Sequence, residues 1–530
     1  RTSRENTQSP PRRLSLSPVC CLRIMSAAAS SSCGTPTCTH TPLDTVVVLD
    51  GESLTLEGLY RARDPRVHLH VAEEALDRVR QSRDVVDHLV RDRKTVYGIT
   101  TGFGNFADVV IQGERLSELQ YNLIRSHCCG VGEPLEADRT RMLLALRINV
   151  LCRGNSGISP ENLLRLVDAF NKNCLPKVPI KGSVGASGDL APLAHLALGL
   201  LGEGEMRDPL TGEFRPAAEV LEENGVEKLV LGPKEGLALI NGTQLIGALG
   251  TEAQLRAENV SFVADVITAM TLEALKGTWR AFDERVHSAR PHVGQNICAA
   301  RMRVLLLGEE HVAADLTHDV KVSEIMDSHK NCGKVQDPYS LRCSPQVHGV
   351  TLDTLNFTRS LLETELNSAT DNPLVFFNEY REDEEDSRKT ARGNIISGGN
   401  FHGEYPAKAM DYLAIAVAEL ANISERRIER LNNGAVSGLP PFLVDEGGLN
   451  SGFMMAHVTA AALTSENKVL VHPASSDTIS TSAGKEDHVS MGPWAARKAL
   501  QVVENVEFVL AVELLCACQV RREGRSFLEY

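Results

Sequence analysis

A chain of 530 residues with 42% hydrophobic and 23% charged side chains can bury a large core, in two lobes or one extended helical domain. Its 55 basic and 69 acidic side chains leave a formal charge of −14, which argues against nucleic acid as the main partner. No uninterrupted apolar run is long enough to cross a bilayer, and thirteen cysteines with no C-x-x-C spacing read as a reduced thiol set of a cytoplasmic protein.

Residues 1–45 are frequent in Ser, Thr and Pro and lack apolar periodicity, so a disordered N-terminal extension is expected. Arginine stands first, and Met25 is an internal candidate start. Five arginines against one acid in the first forty residues fit a transit peptide, and an untrimmed leader accounts for the same facts. From Thr45 the text turns globular, and residues 46–250 are expected to form a mixed N-terminal catalytic region. Val46 to Leu49 reads as a strand, and Val71 to Leu89 carries helical spacing. Thr95 to Gly104 is too glycine-punctuated for a regular element and holds one tyrosine, Tyr97, among small residues. It is no dinucleotide fingerprint, because Gly102-x-Gly104 lacks the third glycine. Leu116 to Gly130 predicts a helix ending at a glycine, with Ser126-His127 near its end. Arg141 to Leu151 predicts an amphipathic one.

Gly182 to Leu193 is a small-residue loop running into an apolar helix that continues to Leu201. Asp189 suits the N-cap, and Pro192 falls in the first turn, where proline is tolerated. If the loop is bent hard, the Gly188 nitrogen can attack the Ala186 carbonyl carbon and close a five-membered ring. Loss of two waters, one taking the Ser187 hydroxyl, then leaves an exocyclic methylidene, an electrophile no ordinary side chain offers. The bland alternative is a glycine-rich turn that packs closely or binds an anion. Further on, Asn241 directly follows an apolar run, a common place for a capping amide.

Residues 251–530 are expected to form a helical bundle. Three- and four-residue apolar spacings run through Leu255 to Phe282, Leu352 to Leu366, Ala407 to Leu431 and Ala456 to Val471. A last stripe takes Leu500, Val503, Val506, Leu510 and Leu514, with Glu504, Glu507 and Glu513 away from it. The acidic stretch Glu379 to Asp386 reads as a solvated loop. Four polar, irregular segments sit between the helices: Gln336–Arg342, Ser368–Pro373, Ser397–Glu404 and Gly484–Met491. Loops dense in Tyr, Arg, Asn, His and Glu on long helices are where a site is expected.

Together these segments resemble the aromatic amino acid ammonia-lyases, most closely those that act on histidine, over roughly Val46 to Gln519 with seven motifs in the family's order. The resemblance implies a mainly α fold with a long central bundle, assembled as a homotetramer whose active sites draw loops from several subunits. It implies that Ala186, Ser187 and Gly188 cyclise to 4-methylideneimidazole-5-one (MIO), with no external cofactor and no metal. The reaction implied is loss of ammonia from L-histidine to give trans-urocanate. Attack of the substrate amine on the methylidene makes it a better leaving group, and a base removes the β-proton. Tyr97 matches the family's tyrosine and takes that role, with Tyr339 and Glu486 as alternatives. A free tyrosine titrates near 10, so a base at neutral pH needs a lowering of about three units, roughly 4 kcal/mol. Arg342 matches the arginine that holds the substrate carboxylate. Asn241 and Gln336 match amides lining the electrophile and the amino-acid end, and Phe401 matches a ring that shields it.

Substrate choice rests on fewer residues. Phenylalanine-specific members carry an apolar pair where this chain has Ser126-His127, tyrosine-specific members carry His-Leu, and they have glutamine at the Glu486 position. His127 and Glu486 both hydrogen-bond an imidazole, and a phenyl ring would leave them unpaired at about 1–3 kcal/mol each. That disfavours a phenylalanine or tyrosine lyase or an aminomutase. Family chains usually continue past the Leu514 helix, whereas here Gln519 gives way to Val520-Arg521-Arg522-Glu523-Gly524-Arg525 and the text stops at Tyr530. That shortening motivates a third reading, a catalytically silent assembly subunit. No nucleic-acid or membrane partner is expected.

Overall fold

The computed structural model describes residues 45–307, 335–377 and 393–523. The expected extension before Thr45 with its candidate start, the acidic stretch Glu379–Asp386 and the tail from residue 524 lie outside the described residues. Alternating exposure along Val46–Leu49 (β1) and His68–Val71 (β2) lets the two pair in parallel, with Val46 opposite His68 and Leu49 opposite Val71. Val71 thus ends a strand, and the helix behind it is Glu73–Arg91 (α1). No regular element spans Thr95 to Phe103, as the glycines of this stretch predict. One 3₁₀ turn at Gly104–Phe106 and a bridge between Thr101 and Val110 shape that loop.

The next helix, Leu116–His127 (α2), stops three residues short of the predicted glycine. The Gly130 N–H donates instead to His195 Nε2 at 3.0 Å, and Val131–Pro134 (β3) begins at once. The predicted amphipathic helix is Ala137–Cys152 (α3), and every residue from Thr140 to Cys152 is buried. Its Arg141 and Arg147 face inward because carbonyls meet them. Arg141 donates to the Ala62, Val67 and Phe170 oxygens at 2.7–3.1 Å, and Arg147 to the Ala238 and Asn241 oxygens. A charged residue therefore does not mark the wet face here.

Pro179–Lys181 (β4) pairs antiparallel with β3 and delivers the chain into the Gly182–Asp189 loop, which ends at Leu190–Leu200 (α4). Glu235–Ile240 (α5) then leads through Asn241 into Gln244–Ala274 (α6). At 31 residues α6 is about 45 Å long and is the spine of the molecule. Val293–Leu307 (α7) and Ser344–Leu366 (α8) pack on each other, and α8 also packs on α6. Leu374–Phe377 (β5) and Gly393–Ile396 (β6) form a hairpin-like pair over α1. Glu404–Asn432 (α9), Met454–Leu470 (α10) and Gly492–Glu523 (α11) complete a mainly α bundle, with α11 against α6, α9 and α10.

The stripe on α11 is buried as expected at Val503, Val506 and Leu510, but Glu513 joins it and Leu514 is only half-buried. Both positions lie three or four residues beyond Leu510, so spacing cannot choose between them. The choice is made by Arg427 on α9, whose Nε and Nη2 donate to the two Glu513 oxygens at 2.6 and 2.8 Å. Thr271 and Ser424 hydroxyls donate to the same carboxylate, and both charged side chains are fully buried. Glu504 and Glu507 do face outward, Glu507 pairing with Arg256. No helix among the described residues is long and apolar enough to cross a membrane.

Candidate active site

The Ala186-Ser187-Gly188 loop is clamped from three sides. The Asp189 N–H donates to the Gly242 carbonyl at 2.7 Å, and Gly188 lies beside Gly242 as in a parallel ladder. Gly188 has φ +73°, and a Cβ there would overlap the Gly242 carbonyl, so only glycine fits. From the C-terminal side, Ser490 Oγ donates to the Gly185 carbonyl at 3.0 Å, and the Met491 N–H to the Val184 carbonyl at 2.9 Å. Within the loop, Ser183 Oγ accepts from the Gly185 N–H at 3.1 Å. Such a bend, with glycine at the attacking position and a serine in the middle, fits the cyclised tripeptide.

Asp189 occupies the N-cap position of α4, yet its side chain caps a different helix. Oδ2 accepts from the Leu245 and Ile246 N–H groups at 2.8 and 3.1 Å, in the first turn of α6. One carboxyl thereby ties the loop to the spine of the bundle. Burial, helped by the neighbouring Glu365 and opposed by the two backbone donors, leaves it raised to about 7. Asn241 is the C-cap of α5 through its backbone, its N–H donating to the Leu237 carbonyl at 3.1 Å, and its side-chain amide is turned elsewhere. Its Nδ2 donates to the Asn372 carbonyl at 2.8 Å, and its own carbonyl accepts from Arg147. Asn372 is held in turn by Asp371, whose Oδ1 accepts the Asn372 N–H and whose Oδ2 pairs with Lys234 at 3.0 Å. Lys234 and Asp371 are both fully buried.

Above the loop opens a cavity of about 1260 Å³, lined by Tyr97, Ser126, His127, Ala186, Ser187, Asn241, Phe401 and Glu486 among others. Gly188 lies buried behind it against Gly242. The Tyr97 hydroxyl oxygen accepts a long bond from the Gly104 N–H at 3.5 Å. His127 Nδ1 sits 2.8 Å from the Leu123 carbonyl, which can only accept, so Nδ1 carries a hydrogen and, in the neutral ring, Nε2 is the acceptor. Ser126 Oγ braces the same carbonyl at 3.0 Å. Glu486 has one oxygen at each of two hydroxyls. Oε1 accepts from Ser187 Oγ at 3.2 Å and Oε2 from Thr481 Oγ1 at 2.7 Å. Phe401 shares its wall with His402, whose ring stacks on His488 at 5.7 Å between centroids. Among the described residues no three His, Cys, Asp or Glu side chains gather as a metal site.

Gln336, Tyr339 and Arg342 are not in this cavity. They line a second pocket of about 340 Å³ with Asp337 and Arg430. The Arg342 guanidinium lies 4.7 Å from the centre of the Tyr339 ring, and its buried Nε has no partner among the described residues. Tyr339 is 71% exposed. A single chain therefore separates the Ala186-Ser187-Gly188 loop from Gln336, Tyr339 and Arg342. Sequence reasoning marked the segments that carry Asn372, His402, His488 and Ser490 but not those residues individually, and it missed Thr481 and the second helix start on Asp189. Only the Ser490 clamp had a local signal, a small polar residue before a helix-opening Gly-Pro.

The sequence model described as aromatic amino acid lyase matches residues 54–525. Histidine ammonia-lyase of Mus musculus is 58% identical over 473 residues, spanning 89% of this chain and 68% of that protein. The enzyme of that name from Caenorhabditis elegans is 56% identical over 488 residues, spanning 92% and 68%. Among solved structures, histidine ammonia-lyase from Trypanosoma cruzi superposes with a TM-score of 0.80 at 51% identity, covering 91% of this chain and 86% of that one. A tyrosine aminomutase from Streptomyces globisporus reaches 0.79 at 38% identity, covering 90% and 89%.

Proposed function

The chain belongs to the aromatic amino acid lyase family, and from that premise we propose that it eliminates ammonia from L-histidine to give trans-urocanate, the first step of histidine degradation. The observation that carries this reading is one cavity with Ala186 and Ser187 on its floor, Gly188 directly behind them, and His127 and Glu486 on its walls. Ala186, Ser187 and Gly188 close into MIO, which supplies an electrophilic methylidene to the substrate's amine. Asn241, fixed between Asn372 and Arg147, lines the amino end, and Phe401 keeps water from that side. The β-proton goes to Tyr97, with Glu486 and Tyr339 as the competing acceptors.

Selectivity follows from hydrogen-bond matching. With Nδ1–H committed to the Leu123 carbonyl, His127 Nε2 accepts from one N–H of the substrate ring, and the Glu486 carboxylate accepts from the other when that ring is an imidazolium. A phenyl ring satisfies neither, at about 1–3 kcal/mol each. This favours histidine over the substrates of phenylalanine and tyrosine lyases and of the aminomutases that share the fold.

The substrate carboxylate needs Arg342, and the second pocket reaches the first only if another copy of the chain brings it there. A homotetramer with shared sites is the arrangement we favour. Exposed apolar side chains on α8 and α9 support it, with Val350, Phe357, Tyr412 and Ile415 each more than two-fifths exposed. We place the enzyme in the cytoplasm.

Incubation with L-histidine, followed by ultraviolet absorbance and ammonia release, is expected to yield urocanate. Cinnamate or coumarate without urocanate would favour the phenylalanine or tyrosine lyase, and a β-amino acid the aminomutase. An unmodified intact mass would favour the silent subunit. Shared sites are tested by complementation. Co-expressed Ser187→Ala and Arg342→Ala chains, each inactive alone, should regain part of the activity in mixed assemblies, and none if each chain works by itself.

A further inference from the structure

Glu486 sits on a loop that is closed twice. The Val489 N–H donates to Thr478 Oγ1 at 2.9 Å, and inside that bond the Thr481 N–H donates to the Glu486 carbonyl at 2.9 Å. Ser482 and Ala483, in the turn between, stand at φ +52° and +53°, left-handed backbone that neither residue adopts without local strain. Thr481 and Glu486 thus face each other across an antiparallel bridge. Their side chains meet as well, the Thr481 hydroxyl donating to Glu486 Oε2 at 2.7 Å. The other oxygen, Oε1, accepts from Ser187 Oγ at 3.2 Å. Thr481 is not among the residues that line the cavity, whereas Glu486 is.

The two carboxylate oxygens have different fates. The bond at Oε2 joins groups that nothing consumes. The bond at Oε1 joins a hydroxyl that cyclisation of Ala186-Ser187-Gly188 removes, so afterwards Oε1 faces the cavity without its donor. A carboxylate oxygen in that position calls for a new donor. An imidazolium N–H is such a donor, and a phenyl ring offers none. The outer torsion of a glutamate is broad, however, so a carboxylate left free would turn and offer either oxygen in many directions. We infer that Thr481 is a positioning residue for substrate choice. By occupying Oε2 it fixes the plane of the carboxylate and leaves one acceptor, Oε1, aimed at the substrate ring. Because Thr481 stands outside the cavity, its effect on substrate passes through Glu486. The role concerns the ring of the substrate and not the making of the electrophile, and it rests on the reading that the tripeptide cyclises and that Glu486 meets the ring of L-histidine.

Steady-state kinetics of the full chain, with L-histidine and L-phenylalanine assayed on the same preparation, test it. The parent is expected to form urocanate. Thr481→Val keeps the branched shape and the backbone bridge but cannot donate. Its kcat/KM for L-histidine should fall about five- to tenfold, the scale of having to order one freely turning side chain on binding. Its kcat/KM for L-phenylalanine should hold within about twofold, since that ring has no N–H to offer. The ratio of the two does not depend on how much of a preparation is folded, so partial misfolding cannot imitate the result. Thr481→Ser, which returns the hydroxyl, should recover most of the loss. On top of Glu486→Ala, Thr481→Val should cost nothing further, because the carboxylate it acts through is gone. Intact masses should show the same loss of two waters in every variant as in the parent. A parent that forms no urocanate overturns the histidine reading, and this role with it. A parent that does form it overturns the role alone if any of four results appears: an unchanged substrate ratio in Thr481→Val, no recovery in Thr481→Ser, an equal further loss on top of Glu486→Ala, or a Thr481→Val chain that keeps its full mass.

Discussion

Replacing His127 with phenylalanine isolates the contact on which substrate choice is argued to depend. The ring keeps nearly its volume and loses both nitrogens. On the protein side, the Leu123 carbonyl loses the Nδ1 donor at 2.8 Å but keeps Ser126 Oγ at 3.0 Å, so helix α2 is not left with a bare acceptor and the fold should hold. On the substrate side, an imidazole N–H that met Nε2 now meets a ring edge. An unpaired donor in a closed site costs about 1–3 kcal/mol, and with 1.4 kcal/mol per tenfold the expected fall in kcat/KM for L-histidine is about 5- to 150-fold. Phenylalanine suffers no such loss, so the ratio of histidine to phenylalanine turnover should fall by at least that factor. Urocanate and cinnamate formation, read by absorbance at matched enzyme concentrations, measure it. Ser126→Ala is the control and should change the ratio far less, because it removes the 3.1 Å neighbour of Nδ1 and leaves the shorter bond to the Leu123 carbonyl in place. A histidine kcat/KM for His127→Phe within about twofold of the parent would refute the assignment of Nε2 to the imidazole.

Ser187→Ala is expected to abolish turnover and return the intact mass to that of the unmodified chain while the thermal midpoint stays near the parent's; activity close to the parent's would contradict the electrophile. Asp189 has a pH signature. Its carboxyl titrates near 7 when buried and near 3.8 when unfolded, so the folded chain holds a proton that the unfolded chain releases. That contribution is complete below 3.8 and lost as pH rises through about 7, so Asp189→Asn, which cannot ionise, should flatten the decline of thermal midpoint over that window; parallel curves would refute it. Glu513→Leu leaves the fully buried Arg427 guanidinium unpaired and should destabilise by about 3–5 kcal/mol, read as faster thermal inactivation. Adding Arg427→Met should recover most of that loss, and a double variant no better than the single one would sink the pairing argument. Lys234→Met strands the buried Asp371 that holds Asn372, and both stability and the KM for histidine should suffer, with thermal midpoint and kinetics measured on the same preparation.

What the sequence determined is local and chemical. The apolar spacing behind Gln244–Ala274, Glu404–Asn432 and Gly492–Glu523 is enough for a helical bundle, because a 3.6-residue repeat has one low-energy use in water. The Ala186-Ser187-Gly188 loop was legible as a candidate for the proposed cyclisation, since only glycine can attack there and only a serine-like residue can lose its hydroxyl, and the resemblance to the family is what singled it out. Spacing could not say which of Glu513 and Leu514 turns inward, because Arg427 on another helix decides it. Nor could it say that Asp189 caps α6 rather than its own helix, since a free backbone donor 56 residues away leaves no local trace. Tertiary structure alone brought Glu486 to Ser187 across 299 positions of chain and set Arg342 in a different pocket from both. Short-range patterns encode what a segment can become, whereas a site is a set of distances between segments, and those exist only once the cores that carry them have packed.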